Sequence, residues 1–292
     1  MNIYTIIVHY NTPEEVVLLT EDLINAGVPN HHIIIVDNLS EETALHLLQN
    51  RLAKWEQVYV LPQQKNGGFG YGVNRAVEFI STSEQDAYMH VVNSDARVNN
   101  LNYLIELSTY LDNHPSVVMV GPRVLEKDGT TVQNTILPIT TVSNVFSFRK
   151  KYSCINHSAN ANNPIAVDCL NGVCFMVRMS AFKRAGGFDE QYFMYNEEQD
   201  LCFNLKKSGG QIYFLPVDSI VHDGGSLLEQ EKPDWRFLYK RRNIVLFLRK
   251  HHSRMASIFM AFVFAVSSIP KFLRHPSSIT WFSFIKAVWS VA

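Results

Sequence analysis

Three carboxylates crowd together in the stretch QYFMYNEEQDLC, at Glu197, Glu198 and Asp200. Neighbouring carboxylates repel one another unless water solvates them, a cation binds them or they share protons. The acids could begin an exposed helix, where they complement the helix dipole, and residues 200–210 do have the pattern of a short helix that ends at glycine. Alternatively, the cluster is a working site whose carboxylates take up protons or bind a metal ion.

A further candidate carboxylate, Asp95, comes three residues after the apolar start of VVNSDARV. There it can meet a hydrated Mg²⁺ or Mn²⁺, which one or two carboxylates commonly hold together with substrate phosphates. His222 in IVHDGGS follows a predicted short strand, and imidazole is a good partner for Mn²⁺. The simpler interpretations are an Asx-turn at Asp95 and a structural histidine at 222.

The glycine-rich stretch NGGFGYGVN, residues 66–74, invites comparison with a dinucleotide-binding fingerprint. Its spacing does not fit, because Arg75 stands where the third fingerprint glycine would fall and no convincing acid ends the next predicted strand. A nicotinamide oxidoreductase is therefore an alternative supported by the glycines alone. The stretch does predict a flexible loop before a helix, which lets a ligand approach the backbone closely.

Apolar runs of strand length alternate with amphipathic helical patterns along the first 120 residues. This is typical of a mostly parallel sheet covered by helices on both faces. Ligands bind such sheets beyond the carboxyl ends of the strands, so polar residues there could form a site. Residues 121–165, rich in Asn, Ser and Thr, predict a sheet edge with mobile loops. The predicted strands are 3–9, 32–38, 57–61, 87–92 and 116–120, and the predicted helices are 13–27, 72–82 and 101–111.

The chain has 292 residues, of which 47% are hydrophobic, enough for one large or two small globular domains. Its four cysteines form no CxxC pair, which fits a reducing compartment and argues against a zinc site. They are Cys154, Cys169, Cys174 and Cys202. The N-terminal MNIYTIIVHYN has no basic region before its apolar run, so it predicts a first strand rather than a signal peptide.

Charge divides the chain at Asp234, after which there is no Asp or Glu, whereas ten Lys and Arg lie in the last 58 residues. We therefore expect a main domain, residues 1–234, and a basic helical region, residues 235–292. Two apolar runs lie in the basic region, at 255–269 and 279–292.

The basic region predicts a pair of helices on a membrane surface. The run 255–269 has fifteen uncharged residues, fewer than the about 20 that span a bilayer, and Pro270 is expected to end it. Lys and Arg beside apolar faces and tryptophans suit an anionic cytoplasmic leaflet. The alternative is a helical hairpin that packs on the main domain or on a second subunit. Nucleic acid is a less favoured partner, because long apolar runs separate the charges.

Several motifs occur along the chain in an order that resembles one enzyme family. They are HYN, VDN-S, NGGFGYGVNRA, NSD, LNGVCFMVRMSAFKRAGGFDEQYFMYNEEQDLC, H-GGS and YKRRN, within about residues 3–250. This order resembles the inverting family 2 glycosyltransferases, most of all the bacterial rhamnosyltransferase-like members. The resemblance implies an α/β fold of the GT-A type, a Rossmann-like mostly parallel sheet with helices on both faces, followed here by the C-terminal helical segment.

The resemblance also implies a role for each motif residue. Asp37 would read the pyrimidine ring of a nucleotide-sugar. Asp95 and His222 would hold Mg²⁺ or Mn²⁺, and Glu198 would deprotonate the acceptor hydroxyl. The other nucleotide-sugar contacts would be His9, Tyr10, Asn11, Asn66, Gly68, Asn74, Asn93 and Arg242, and the acceptor side would be shaped by Gly172, Glu197 and Asp200.

Two positions depart from the family pattern. The family's DxD motif is Asn93-Ser94-Asp95 here, which resembles the NPD variant of the rhamnosyl branch. Glu198 stands where relatives carry Asp, so its carboxylate is one methylene longer. Either the loop lies slightly farther back, or Glu197 shares the task of the base.

The activity that the resemblance implies is transfer of a sugar, rhamnose being one candidate, from a dTDP- or UDP-sugar to a saccharide or polyprenyl-linked acceptor in bacterial surface polysaccharide synthesis. We expect the enzyme in the cytoplasm, peripheral on the inner face of the cell membrane, with a homodimer as one possible state. Two other classes stay open. One is a catalytically silent nucleotide-sugar binding protein, suggested by Asn93 and Glu198, and the other is a membrane-surface scaffold built on residues 235–292.

Overall fold

The computed structural model describes residues 2–80, 87–146, 162–224, 233–274 and 278–292. Strands and helices largely alternate in the first part, and three helices follow residue 233. The strands are β1 Ile3–His9, β2 His31–Asp37, β3 Val58–Pro62, β4 Tyr88–Val92, β5 Ala96–Val98, β6 Val117–Glu126, β7 Ile136–Leu137, β8 Ile165–Ala166, β9 Cys169–Leu170, β10 Cys174–Arg178 and β11 Gln211–His222. The helices are α1 Pro13–Asn25, α2 Glu42–Leu52, α3 Phe69–Ile80, α4 Tyr103–Asn113, α5 Val142–Phe146, α6 Met179–Arg184, α7 Glu197–Lys207, α8 Pro233–His251, α9 Arg254–Arg274 and α10 Trp281–Trp289.

Nine of the described strands form one sheet, in the order β3-β2-β1-β4-β10-β6-β11-β5, with β8 paired to β11. The neighbours β3, β2, β1 and β4 are parallel, as are β6 and β11. β10 runs antiparallel between β4 and β6, and β5 and β8 pair antiparallel with β11. The predicted mixed α/β architecture with a mostly parallel central sheet is therefore confirmed.

The strand register brings candidate polar residues together at the carboxyl ends of the parallel strands. His9, the last residue of β1, pairs with Asp37, the last residue of β2. His222 ends β11 and pairs with Ala96, the residue after Asp95. The prediction of a short strand before His222 is wrong, because β11 has twelve residues and follows β6 along its whole length.

Apolar side chains pack on both faces of the sheet. Ile6 of β1 belongs to a buried cluster that includes Val73 of α3 and Leu201 of α7, whereas Ile7 belongs to a second cluster that includes Leu19 of α1 and Leu104 of α4. Because both faces are buried, the strand sequences are continuously apolar instead of alternating.

Three boundaries differ from those that the sequence predicted. α7 begins at Glu197 and not at Asp200, so all three acids lie in its first turn. α3 begins at Phe69, within the glycine-rich stretch. Residues 121–126 belong to β6, which lies inside the sheet between β10 and β11, so this part of 121–165 is not a sheet edge. Residues 147–161 of that stretch lie outside the described residues.

Cys169, Cys174 and Cys202 are buried free thiols, as the sequence predicted for idle cysteines. Burial raises the pKa of Cys169 and of Cys174, so both stay protonated and unreactive. The fourth cysteine, Cys154, lies outside the described residues.

The helices α8, α9 and α10 share an apolar cluster of their own, which includes Val245, Leu248 and Phe284. Pro270 and Lys271 end the uncharged run, but α9 itself continues through Pro270 to its last residue, Arg274. A proline inside a helix removes a backbone hydrogen bond. α10 packs beside this turn, where the Trp281 indole donates a hydrogen bond to the Ala265 carbonyl of α9 at 3.2 Å.

Candidate active site

The carboxyl ends of the strands open into a cleft with three adjoining cavities among the described residues. The first cavity, about 290 Å³, lies at β1 and β4; the central cavity, about 290 Å³, lies at β11 and the start of α7; and the outer cavity, about 520 Å³, extends towards α8. Shared wall residues make the cleft continuous. They are Phe69, Asn93 and Met194 between the first and central cavities, and Asn171, Tyr195 and Glu198 between the central and outer cavities.

Two glutamates at the start of α7 line the central cavity. Glu197 is 2% exposed, and its Oε2 atom has no hydrogen-bond partner among the described residues. Glu198 accepts a hydrogen bond from the backbone N–H of Gly172 at 3.1 Å. Burial raises the pKa of both carboxyls, and the charge of Glu198 raises the pKa of Glu197 further. Both groups therefore hold a proton more readily than a surface glutamate, which suits a proton acceptor.

The interpretation of these acids as an exposed helix start is wrong for Glu197 and Asp200, which are both buried. Oδ1 of Asp200 accepts hydrogen bonds from Lys250 Nζ and His251 Nε2, each at 2.7 Å. Burial raises the pKa of Asp200, but these two partners outweigh burial and leave its pKa below the ordinary value. Asp200 thus fastens α7 to α8, and it lines none of the three cavities. Of its two predicted roles, the contacts support holding the loop.

Asp95 and His222 lie on another wall of the central cavity. Oδ1 of Asp95 is 3.1 Å from Nε2 of His222, and Nδ2 of Asn93 is 3.2 Å from the same nitrogen. The other ring nitrogen, Nδ1, is 3.0 Å from Oε1 of Gln133. An amide oxygen can only accept and an amide NH₂ group can only donate, so Nδ1 carries the proton and Nε2 accepts from Asn93, next to the Asp95 carboxylate.

These two side chains fit a hydrated Mg²⁺ or Mn²⁺. An imidazole nitrogen and a carboxylate oxygen converge at 3.1 Å, and a divalent cation could take both as ligands. In the part of the chain that the structure describes, no three His, Cys, Asp or Glu side chains gather into a closed metal site. An open two-ligand site leaves positions for phosphate oxygens and water, as Mg²⁺ sites commonly do.

His9 and Asp37 form a buried pair beneath the first cavity. Nε2 of His9 accepts from the Thr12 N–H at 3.1 Å, so Nδ1 carries the proton that is donated to Oδ1 of Asp37 at 2.8 Å. Burial raises the pKa of Asp37, but hydrogen bonds from His9 and Ser40 outweigh burial and lower its pKa overall. Neither side chain lines the cavity; both fix the strand ends that carry its wall residues.

Gly68 brings the glycine-rich loop against the loop before α7. Its φ of +88° favours glycine, and a Cβ atom here would lie 1.8 Å from the Phe193 carbonyl oxygen. The Gly68 N–H donates to Asn66 at 3.1 Å, and its carbonyl accepts from Asn38 at 2.9 Å. Gly68, Asn38, Asn66 and the 37% exposed Tyr10 line the first cavity.

Besides His9 and Asp37, three more predicted contact residues lie outside the cavity walls. Both polar atoms of the Asn74 amide bond the Phe188 backbone, at 2.9 and 3.1 Å. Asn11 accepts from the backbone N–H just before α2 at 2.8 Å. Arg242 donates to the Gln191 carbonyl at 3.0 Å. Each side chain is engaged in holding a loop, which is why the structure does not bring it to the cleft.

Several residues at the site had no predicted role: the wall residues Asn38, Tyr195 and Lys240, and Gln133, which contacts His222. Asn38 directly follows Asp37, so it is one of the polar residues that the sequence placed at a strand end, although without a role of its own. Gln133 reaches His222 from 89 positions away in a segment with no motif, so no local signal marks it. Gly225 and Ser226 of the IVHDGGS motif lie outside the described residues.

The sequence model of glycosyl transferase family 2 matches residues 4–186. The N-acetylglucosaminyl-diphospho-decaprenol L-rhamnosyltransferase of Mycobacterium tuberculosis is 25% identical over 238 residues, 76% of this chain and 75% of the relative. The rhamnosyltransferase WbbL of Escherichia coli strain K12 is 25% identical over 276 residues, 88% of this chain and 99% of the relative. The family match therefore includes Asp37 and Asp95 and ends before Glu197.

Solved structures share the fold at low sequence identity. The mannosyltransferase PcManGT from Pyrobaculum calidifontis, in complex with GDP-Man and Mn²⁺, has a TM-score of 0.59 at 12% identity, covering 100% of this chain and 80% of that chain. Staphylococcus aureus TarS 1–349 has a TM-score of 0.58 at 16% identity, covering 99% and 81%. These likenesses show the GT-A architecture that the motif order implied.

Proposed function

We propose that this chain transfers one sugar with inversion to a saccharide acceptor. The chain belongs to glycosyl transferase family 2 and is a nucleotide-sugar-dependent glycosyltransferase. Rhamnose is the first candidate, because two relatives at 25% identity are named rhamnosyltransferases. The observation that carries the proposal is the position of Glu198. Its carboxyl lines the central cavity, which also contains Asp95 and His222, and the outer cavity, through which an acceptor can enter.

In the proposed reaction, Glu198 accepts the proton of an acceptor hydroxyl. The hydroxyl oxygen bonds the anomeric carbon while the bond from that carbon to the diphosphate oxygen breaks on the opposite face, so the configuration inverts. The electron pair of the broken bond leaves with the nucleoside diphosphate. Proton abstraction by a positioned carboxylate contributes about 10²- to 10⁴-fold to the rate.

The donor would span the first and central cavities. The exposed ring of Tyr10 and the amides of Asn38 and Asn66 suit a base and ribose, and a pyrimidine nucleotide is our proposal, consistent with the TarS structure solved in complex with UDP. Asp95 and His222 would hold a divalent cation next to the diphosphate. When bound, such a cation offsets the negative charge that grows on the leaving group.

The acceptor would occupy the outer cavity. Its wall combines the amides of Asn171 and Gln199 with apolar side chains such as Ile139 and Ile244, and it includes the exposed cation Lys240. Amides suit sugar hydroxyls, and a cation suits a phosphate group. We propose a lipid-linked saccharide, in keeping with the name of the mycobacterial relative, whose acceptor is a diphospho-decaprenol.

An exposed apolar face of α9 supports the proposal that the enzyme acts at a membrane surface. Large side chains recur there at spacings of four and three residues: Met255, Phe259, Phe262, Val266, Ile269 and Leu273. α9 is the one described helix that is long and apolar enough to cross a membrane, by length and composition alone. Because its other face packs on α8 and its ends carry Lys and Arg, we propose that it lies in the interface of an anionic cytoplasmic leaflet.

A donor panel tests the proposed reaction. Purified enzyme is incubated with dTDP-, UDP- and GDP-sugars, Mn²⁺ and a short-chain N-acetylglucosaminyl-diphospho-lipid, and the anomeric configuration of the product is read by NMR. We expect transfer from a pyrimidine nucleotide-sugar with inversion, and loss of transfer in Glu198→Gln. Retention of configuration would refute the single displacement. Nucleotide binding without transfer or donor hydrolysis would instead identify a silent binding protein.

Vesicle flotation tests the proposed location. The full chain should float with anionic vesicles at low salt and float less as added salt screens the charges. Phe262→Ser, on the exposed face of α9, should weaken flotation, whereas the matched control Phe79→Ser, on the exposed side of α3, should not. A full chain that stays in solution as a stable dimer would favour an oligomer contact for this face.

A further inference from the structure

The loop before the two glutamates has an unusual backbone. Tyr195 and Asn196 are consecutive non-glycine residues in the left-handed region, with φ values of 70° and 73°. Side chains with a Cβ atom rarely adopt this conformation, and it persists only where the surroundings determine it. Glu197 follows directly as the first residue of α7. The direction in which α7 starts, and so the position of both glutamate side chains, depends on what holds these two residues.

Asn243 of α8 holds them. Its side chain is fully buried, and Nδ2 donates one hydrogen bond to the Met194 carbonyl and one to the Tyr195 carbonyl, both at 2.8 Å. Oδ1 accepts from Arg242 at 2.9 Å. All these contacts fix the amide orientation, because a reversed amide would place its oxygen against two carbonyls and its NH₂ group against a guanidinium. The two amide protons are both used on the loop.

The two carbonyls that Asn243 holds belong to residues of the cleft wall. Met194 lines the first and central cavities, and Tyr195 lines the central and outer cavities. Asn243 itself lines none of the three. It therefore reaches the reacting groups through the loop and not by touching them.

We infer that Asn243 is a positioning residue for Glu197 and Glu198, through which the C-terminal helices set the geometry of the proton acceptor. This inference rests on the proposed function of the cleft. It gives α8 a second role besides carrying the apolar cluster shared with α9 and α10.

A matched pair of variants separates positioning from stability. Asn243→Ala removes both hydrogen bonds to the loop. Val245→Ala, two residues further along α8, removes buried methyl groups from the cluster with α9 and leaves the loop contacts intact. Both variants are compared by melting temperature, nucleoside diphosphate affinity and transfer kinetics. Should Asn243→Ala not fold, Asn243→Gln, which keeps the amide but displaces it by one methylene, is measured instead.

We expect kcat of Asn243→Ala to fall by about 10²-fold, the order of loss that a misplacement of about 1 Å produces. Nucleoside diphosphate affinity should fall much less than kcat, because Asn243 contacts neither the strand ends nor the glycine-rich loop of the first cavity, and of that cavity's wall it holds only the Met194 carbonyl. Val245→Ala should keep the kcat of the wild type, although its melting temperature falls as much as that of Asn243→Ala or more. The acid limb of kcat/KM should also move to lower pH in Asn243→Ala, since burial raises the pKa of Glu198 and a loosened loop admits water.

Equal kcat values for the two variants at similar melting temperatures would overturn the inference. Hydrogen–deuterium exchange of residues 191–200 gives a readout that needs no turnover. Faster exchange of these residues in Asn243→Ala but not in Val245→Ala would support the positioning role, whether or not the wild type transfers sugar. A wild type that transfers no sugar would refute only the proposed function. Unchanged exchange in a folded Asn243→Ala would refute the positioning role.

Discussion

Asp37, at the end of β2, and Glu197, at the start of α7, are both buried carboxylates beside the same cleft, but their surroundings differ. Asp37 receives hydrogen bonds from His9 and Ser40, which more than offset the cost of burial and lower its pKa. Glu197 has an oxygen atom with no hydrogen-bond partner among the described residues and a second glutamate next to it, and its pKa is raised. One region stabilises the anion, and the other region favours uptake of a proton.

This difference separates the two tasks that the proposed reaction requires. The sheet side of the cleft, which carries Asp37 and Asp95, would bind a donor and its cation without changing protonation. The loop side, which carries Glu197 and Glu198, would take the acceptor proton. Groups whose environments move their pKa values apart commonly mark such a division of labour.

The largest expected effect comes from removing the proton acceptor. Glu198→Gln keeps the size of the side chain and a hydrogen-bonding oxygen but cannot accept a proton at neutral pH. We expect kcat to fall by about 10²-fold or more, while nucleotide affinity, measured by calorimetry, persists. If Glu197→Gln gives the larger loss, the roles of the two glutamates are exchanged.

On the sheet side, Asp95→Ala should affect binding before turnover. Loss of the carboxylate ligand should reduce the gain in nucleoside diphosphate affinity that Mn²⁺ provides, by at least about tenfold, since even residues that only support a metal ligand cost about 10- to 100-fold in metal affinity. Affinity in the presence of EDTA serves as the control and should not change. A folded variant with the full Mn²⁺ effect would contradict the assignment of Asp95.

Acid should act on the two regions differently. Glu198 accepts a proton only in its charged form, so a raised pKa moves the loss of activity to a higher pH than the ordinary glutamate value of 4.5. At pH values below the pKa of Glu198, kcat/KM should fall by up to about tenfold per pH unit, as expected when a single group takes up a proton. Asp37, with its lowered pKa, stays charged over the same range, so nucleotide affinity should persist. A parallel fall of affinity and kcat/KM would break the comparison.

The smallest effect is expected at the rim of the outer cavity. Lys240 is exposed there, with its Nζ 4.7 Å from the centre of the Tyr195 ring. Lys240→Met should raise KM for a diphosphate-linked acceptor about two- to fivefold, as for an exposed ion pair, and leave KM for a neutral saccharide acceptor unchanged. An equal change for both acceptors would remove the phosphate contact from the proposal.

The sequence by itself predicted most strands and helices in the first part of the chain, although not α2 or β5, and the polar residues at the strand ends. Continuous apolar runs predicted strands buried on both faces, and β1, β2 and β4 lie where those runs are. The family resemblance predicted Asp95 and His222 as partners at one metal site, and the structure places their side chains 3.1 Å apart. The boundary of α7 was less predictable, because the left-handed backbone of Tyr195 and Asn196 has no local signature.

Only the tertiary structure decided which polar groups face the cleft and which are used elsewhere. Asn74 and Arg242 carry the chemistry of a ligand contact, but each is engaged by a loop. Gln133 belongs to no motif, and Asn243 ends the YKRRN motif, in which only Arg242 was given a role; their partners lie 89 and 48 or 49 positions away. The physical reason is that the spacing of apolar residues along a helix or strand indicates which of its faces is buried. The partner of a single buried amide depends instead on how elements far apart in the sequence pack against each other once the loops between them have closed.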